Sequence, residues 1–142
     1  MIYQHMNFGA ILAATVACFI LGGLWYSPIL FAKPWMTGMG YDVNDKAAMD
    51  EVRKKSPVPM FASAFVASLI AAVILSRLFS ALAVADVLRG VKIGVAVWLG
   101  FVATVQLTGA VAAKRPPLVY FIDTGYQLAS YIITGAILAA WR

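Results

Sequence analysis

Gly22-Gly23-Leu24-Trp25-Tyr26-Ser27-Pro28 closes the first long apolar run of the chain and marks a boundary between two solvents. The two glycines allow close backbone approach, Trp25 and Tyr26 carry the amphipathic rings that gather at headgroup level, and Pro28 has no N–H with which to continue a helix. The stretch reads as the end of a membrane-spanning helix. Upstream of it, Phe8 to Ser27 are twenty residues without a charge; as a helix they measure about 30 Å, enough to cross a hydrocarbon core. No Lys or Arg precedes the run, which continues well past Thr15-Val16-Ala17-Cys18. It is therefore expected to stay as a span and not to be removed as a secretory or lipoprotein signal.

Composition agrees with that solvent. Of 142 residues, 63% are hydrophobic and 12% charged, against roughly 45–50% and about 25% in a soluble domain. The net charge of +5 would suggest nucleic acid in a soluble protein, but the basic residues lie between apolar runs, where loop charges orient spans. No nucleic-acid partner is expected; the lipid bilayer is. Cys18 is the only cysteine, which excludes an intramolecular disulfide, and within an apolar run it reads as a small buried side chain.

Working outward from Pro28, the sequence predicts an all-α fold, a single four-helix transmembrane domain over residues 1–142 with helices near 8–27, 58–79, 87–112 and 118–141. The loop 28–57 concentrates four acids and five basic residues. Its first part, Ile29 to Trp35, suits a short interfacial segment, and Asn44 or Asp45 can cap a polar helix through about Lys54. The short connection Ser80 to Ala85 predicts that the second and third spans are antiparallel neighbours, with Asp86 as N-cap of the third. Small residues recur every fourth position at Ala10, Ala14, Cys18 and Gly22 and at Ala64, Ser68, Ala72 and Ser76, and Gly90 and Gly94 form a GxxxG pair. In lipid such stripes are helix contact faces, and their abundance predicts self-association as a homo-oligomer.

Two polar features interrupt the apolar pattern. Gln106 is an amide in the third span, where it needs a partner. Asp123, Gln127, Ser130 and Thr134 follow at helical spacing and form one polar face of the fourth. Loops one and three carry seven Lys and Arg, and the termini with loop two carry four (Arg77, Arg89, Lys92, Arg142). The positive-inside rule then places both termini outside and loop 28–57 in the cytoplasm, in an inner cell membrane. On that topology Trp25, Tyr26, Gln106, Asp123, Tyr126 and Gln127 share one leaflet as a candidate polar cluster, with the Tyr26 phenol placed to donate to the Asp123 carboxylate. No Ser-His-Asp set, paired carboxylate, metal-ligand cluster or phosphate loop is legible, and His5 stands alone. No enzyme activity, cofactor or metal is expected.

The helix ending Gly-x-x-Trp-Tyr-Ser-Pro with Trp35 just after it, and Ile122-Asp123-Thr124-Gly125-Tyr126-Gln127 followed by Gly135-Ala136-Ile137-Leu138 and Trp141, resemble the domain-of-unknown-function 1761 family of small bacterial membrane proteins. The resemblance spans nearly the whole chain and implies a four-helix membrane protein; it brings no activity with it. It also implies a His where this chain has Gln127, which weakens a proton-relay reading. Two functions from different classes follow: a small homo-oligomeric channel or permease for an ion or small solute, or a non-catalytic membrane scaffold or accessory subunit.

Overall fold

The computed structural model describes residues 6–141, and every regular element among them is helical. His5 and Arg142, the lone histidine and one of the orienting charges, lie outside the described residues. The elements are α1 (Phe8–Trp25), α2 (Ala32–Gly38), α3 (Lys46–Lys54), α4 (Val58–Ala81), α5 (Val87–Val97), α6 (Thr104–Ala112) and α7 (Pro117–Ala140). A π-helical stretch, Trp98–Ala103, joins α5 to α6 as one continuous rod.

Local chemistry fixes the ends. Asn7 caps α1 by accepting from the Ala10 N–H at 3.0 Å, Asp45 caps α3 through the N–H groups of Ala47 and Ala48, and Asp86 caps α5 through that of Arg89 at 2.9 Å. Both α4 and α6 end in a turn whose last residue is left-handed without being glycine. Ala83 has φ 48° and Lys114 φ 54°, with Val84 N–H bonded to Phe79 O and Arg115 N–H to Ala110 O. α1 stops at Trp25, two residues before Ser27, because Pro28 and the bonds from Phe31 N–H to Trp25 O and from Ala32 N–H to Ser27 O turn the chain back on itself. That reversal lays α2 against α7, where Gly38 faces Val119. The loop thus holds two short helices, and α3 buries none of its residues.

The interior helix is α7. It packs most extensively on α5 and α1, while α4 lies chiefly on α1. The expectation that α4 and α5 pack as neighbours is corrected: Phe79 lies against Gly90 near their turn, but the main partner of α5 is α7. A short connection sets direction, and the small-residue faces set the partner. A Cβ on Gly94 would lie 2.6 Å from the Tyr131 carbonyl oxygen, and one on Gly90 would lie 2.6 Å from that of Gly135, so the two backbones touch there. Ala10, Ala14 and Cys18 are buried by α7 and α4, as is Ala72 in turn. Ala64, Ser68 and Ser76 are only half-buried.

Large apolar side chains point the other way. Leu12, Ile20, Val66, Ile70, Ile74, Phe101 and Val105 are exposed on the outer faces of α1, α4 and the α5–α6 rod. Large outside and small inside is the pattern of a helix bundle whose surroundings are apolar. Among the described residues three helices are long and apolar enough to cross a membrane: Phe8–Trp25, Val58–Ala81 and Val87–Ala112. The expectation of four such spans is corrected in its last member. α7 has the length, but Asp123, Gln127, Ser130, Thr134 and three tyrosines make it less apolar than the others. It is polar because it is inside.

The bundle is tight at one end and open at the other. Ala10 and Ile11 of α1, Ala72, Leu75 and Phe79 of α4, Val84, and Leu138 and Ala139 of α7 form the buried core. The opposite end, where α7 begins, buries Val119, Ile122, Ala103 and Ala110 apart from that core and carries the polar groups.

Candidate functional site

One turn of α7 gathers three of the chain's four indoles. Trp25, at the end of α1, donates from Nε1 to the Ile122 carbonyl at 3.0 Å; Trp35, on α2, donates to Asp123 Oδ1 at 2.9 Å; Trp98, which opens the π-helical stretch, donates to the Thr124 carbonyl at 3.0 Å. Three consecutive residues of α7 thus receive three indole N–H groups from three directions. Carbonyls 122 and 124 lie within a helix, and each indole uses a second lone pair of its oxygen. The π-helical stretch belongs to the same arrangement: at its far end the Ala103 carbonyl accepts from the Tyr120 hydroxyl at 3.0 Å, binding the rod to α7 again.

Asp123 is the charged centre. The Tyr26 phenol donates to Oδ1 at 2.7 Å, the same oxygen that takes the Trp35 indole, whereas among the described residues Oδ2 has only the Arg115 guanidinium at 3.9 Å. Arg115 reaches back because the left-handed Lys114 reverses the chain after α6; its side chain remains 44% exposed, against 22% for Asp123. A pair at that distance and exposure is weak. One carboxylate oxygen is therefore fixed by two short bonds, and the other is loosely held.

Around it stand aromatic rings at steep angles. Tyr26 meets Trp35 edge-to-face at 6.1 Å and 81°, and Tyr126 at 5.7 Å and 65°. Tyr126 in turn donates to the Cys18 carbonyl at 3.0 Å, passing Gly22, where a Cβ would come within 3.0 Å of the phenol oxygen. Gly22 is thus glycine to admit Tyr126. Gly125 likewise faces the Trp25 ring.

Cavities follow the polar face of α7. A cleft of about 450 Å³ is bounded by Tyr26, Trp35, Tyr41, Gln106, Asp123 and Gln127, with Met36, Val52 and Met60 also on its wall. A cavity of about 200 Å³ lies against Asp123 and Gln106 together with Arg115 and Tyr120. A third, of about 170 Å³, continues from Tyr126 and Gln127 to Ser130 and Thr134, between α7 and the small residues Ala64, Ser68 and Ala71 of α4. Asp123, Gln127, Ser130 and Thr134 each line at least one of them.

Of the six cluster residues read from sequence, Tyr26 and Asp123 are bonded directly, Trp25 and Tyr126 are bonded to backbone of the neighbouring helix, and Gln106 and Gln127 line the cleft. The buried Gln106 Oε1 has no hydrogen-bond partner among the described residues, so the amide expected to complete the cluster does not bond to Asp123. Sequence reasoning missed three contributors: the Trp35 bond, the Arg115 approach and the Trp98 bond. Trp35 offers the one available signal, an aromatic within a short interfacial segment following the Pro28 reversal. No three His, Cys, Asp or Glu come together as a metal-binding group among the described residues.

Residues 9–139 match the family model described as "Protein of unknown function (DUF1761)". The chain belongs to this family. Every residue of the Asp123 site, from Trp25 to Gln127, falls inside the matched range. No curated protein and no solved structure matches the chain.

Proposed function

We propose that this DUF1761 protein is a small membrane permease or channel, spanning the bilayer four times, in which the polar face of α7 lines the route of an ion or small solute past Asp123. The observation that carries the reading is the coincidence of polar stripe and cavities. Had the stripe served helix packing alone, all of it would lie in closed contact; Ser130 and Thr134 do pack on Cys18 of α1, but Asp123 and Gln127 border open volume, and a cavity continues from them along Ser130 and Thr134. From Asp123 to Thr134 the stripe covers about 16 Å at 1.5 Å per residue, about half of a hydrocarbon core. The route ends against the apolar core around Leu75, which acts as the closed side. α7 crosses as the fourth span inside a ring of three more apolar helices, where intramembrane polar groups face a cavity and not lipid.

The charge count supports an inner-membrane orientation with both termini outside and the Asp123 mouth cytoplasmic. Self-association belongs to the same proposal with a revised surface. Gly90 and Gly94 are used within the chain, while Gly100 and Gly109 have nothing within 4 Å and leave the outer face of the α5–α6 rod free for a second copy. No catalytic step, metal or cofactor is invoked. The alternative, a non-catalytic scaffold or accessory subunit, is favoured by the three indole bonds, which join α1, α2 and α5 to α7 whatever the cavities hold.

Flux decides between them. Proteoliposomes holding the wild-type chain are expected to pass at least one of a panel of alkali cations and small charged or neutral organic solutes faster than protein-free liposomes. Identical traces across the panel would leave the scaffold reading in possession.

A further inference from the structure

We infer that the cleft of about 450 Å³ at Asp123 is a binding site for a small organic cation, a protonated amine with an apolar body, and that Arg115 is the internal cation such a ligand displaces. The inference deepens the proposed permeation route by naming its ligand class, and it rests on that reading for what binding accomplishes.

Four features of the cleft point the same way. Its fixed charge is a carboxylate with one oxygen spoken for: Tyr26 and Trp35 hold Oδ1, which orients Oδ2 and leaves it as the free acceptor. Its second polar group is the Gln106 amide, whose buried Oε1 has no partner among the described residues and meets an ammonium in the cleft once the amide rotates. Trp35 and Tyr126 pack edge-to-face with Tyr26 and all three rings line the cleft, so aromatic surface that attracts a cation over its face borders the space beside the carboxylate. The remaining wall, Met36, Val52 and Met60 with Tyr41, is apolar and matches a hydrocarbon body. The volume lies within the roughly 300–1,000 Å³ of small-molecule sites, and far exceeds what a bare metal ion requires.

Among the described residues Arg115 is the one cation paired with the carboxylate; it lines the adjoining cavity of about 200 Å³, which shares Asp123 and Gln106 with the cleft, and its position gives the proposal its sign. At 3.9 Å from Oδ2 and 44% exposed, on the short turn between α6 and α7, it neutralises Asp123 weakly and can leave without disturbing any helix. A ligand ammonium that reaches Oδ2 takes its place. Were the site built for an anion, Arg115 would be the binding group and Asp123 the obstacle.

The test is isothermal titration into nanodiscs carrying the wild-type chain, with empty-disc heats subtracted. The probes are three molecules of closely similar shape and different charge: 3-phenylpropan-1-ammonium, 3-phenylpropan-1-ol and 3-phenylpropanoate. Saturable binding is expected for the ammonium alone. Asp123→Asn, which keeps an oxygen for Tyr26 and Trp35, is expected to weaken it by at least about tenfold. Arg115→Gln, on an exposed turn where misfolding is not a concern, is expected to tighten it about twofold to fivefold by removing the competitor. Binding of the carboxylate probe in preference to the ammonium, or weaker ammonium binding by Arg115→Gln, overturns the proposal. So does binding of all three probes alike, unaffected by either substitution, since that is partition into an apolar gap. Permeation is scored separately. Ammonium binding without flux leaves the ligand class standing and removes the permease, whereas flux of inorganic cations without ammonium binding removes the ligand class and keeps the permease.

Discussion

Placing a methyl group on Gly94 probes the contact on which α7 depends. The Cβ of Gly94→Ala would lie 2.6 Å from the Tyr131 carbonyl oxygen, whereas ordinary contact begins near 3.4 Å, so the two helices must separate by about 0.8 Å at that point. The obstructing atom is backbone, and no side-chain rotation relieves it. Gly90→Ala meets the same obstacle in the Gly135 carbonyl at 2.6 Å, and adds the Ala139 methyl at the same distance. Overpacking of this kind destabilises by about 1–3 kcal/mol. Because both positions lie one turn apart on a single interface, the double variant is expected to lose less than the two single losses together: the first methyl has already parted the helices. Gly109→Ala is the control. Nothing lies within 4 Å of its Cβ, and the change is expected to stabilise by about 0.5–1 kcal/mol through helix propensity alone. The assay is reversible unfolding in mild detergent, read beside the oligomer mass of each variant. A Gly94→Ala protein as stable as Gly109→Ala refutes the α5–α7 contact, and one that folds normally but loses self-association shows that the glycines face a second copy.

Three further outcomes are expected. Trp35→Phe keeps the ring but removes one hydrogen bond to Asp123 Oδ1, so amides of residues 32–38 should exchange faster by an amount corresponding to about 1 kcal/mol, and unchanged exchange would mean that α2 docks without that bond. In a Cys18→Ser background, a cysteine at Asn44 is expected to react with impermeant maleimide only after the cell is opened; labelling of intact cells reverses the orientation. Light scattering with retained lipid is expected to give a mass above that of one 15.3 kDa chain, and a strictly monomeric mass across concentrations contradicts self-association.

The Tyr26–Asp123 bond is legible in the sequence because Tyr26 closes α1 and Asp123 sits one to two turns into α7, and opposite chain directions place those ends at one depth. The caps at Asp45 and Asp86 are legible for a more local reason, since a cap depends on its own next three residues. Trp35 is not legible as a ligand of Asp123: the pair is separated by 88 residues, and periodicity says which face a side chain occupies but not which helix that face meets. The same limit explains the small-residue stripes. Spacing identifies Gly90 and Gly94 as a contact surface equally well for α7 and for a second copy, and the α7 carbonyl oxygens that would lie 2.6 Å from a Cβ at either position assign them to α7. It also explains the fourth helix. Interior position permits polarity in a helix bundle with apolar surroundings, so α7 can be the least apolar of the long helices.

Asp123→Asn, assayed for solute flux and thermal stability on one preparation, bears most directly on the role of the α7 polar face. Asparagine preserves the shape and the oxygen that accepts from Tyr26 and Trp35, and polar contacts between membrane helices contribute only about 0.6 kcal/mol each, so unfolding is expected to shift by no more than about 1 kcal/mol. Flux is expected to be lost. A variant that unfolds markedly more easily than wild type, or one that is equally stable and equally active, would contradict a carboxylate held by one oxygen and working through the other.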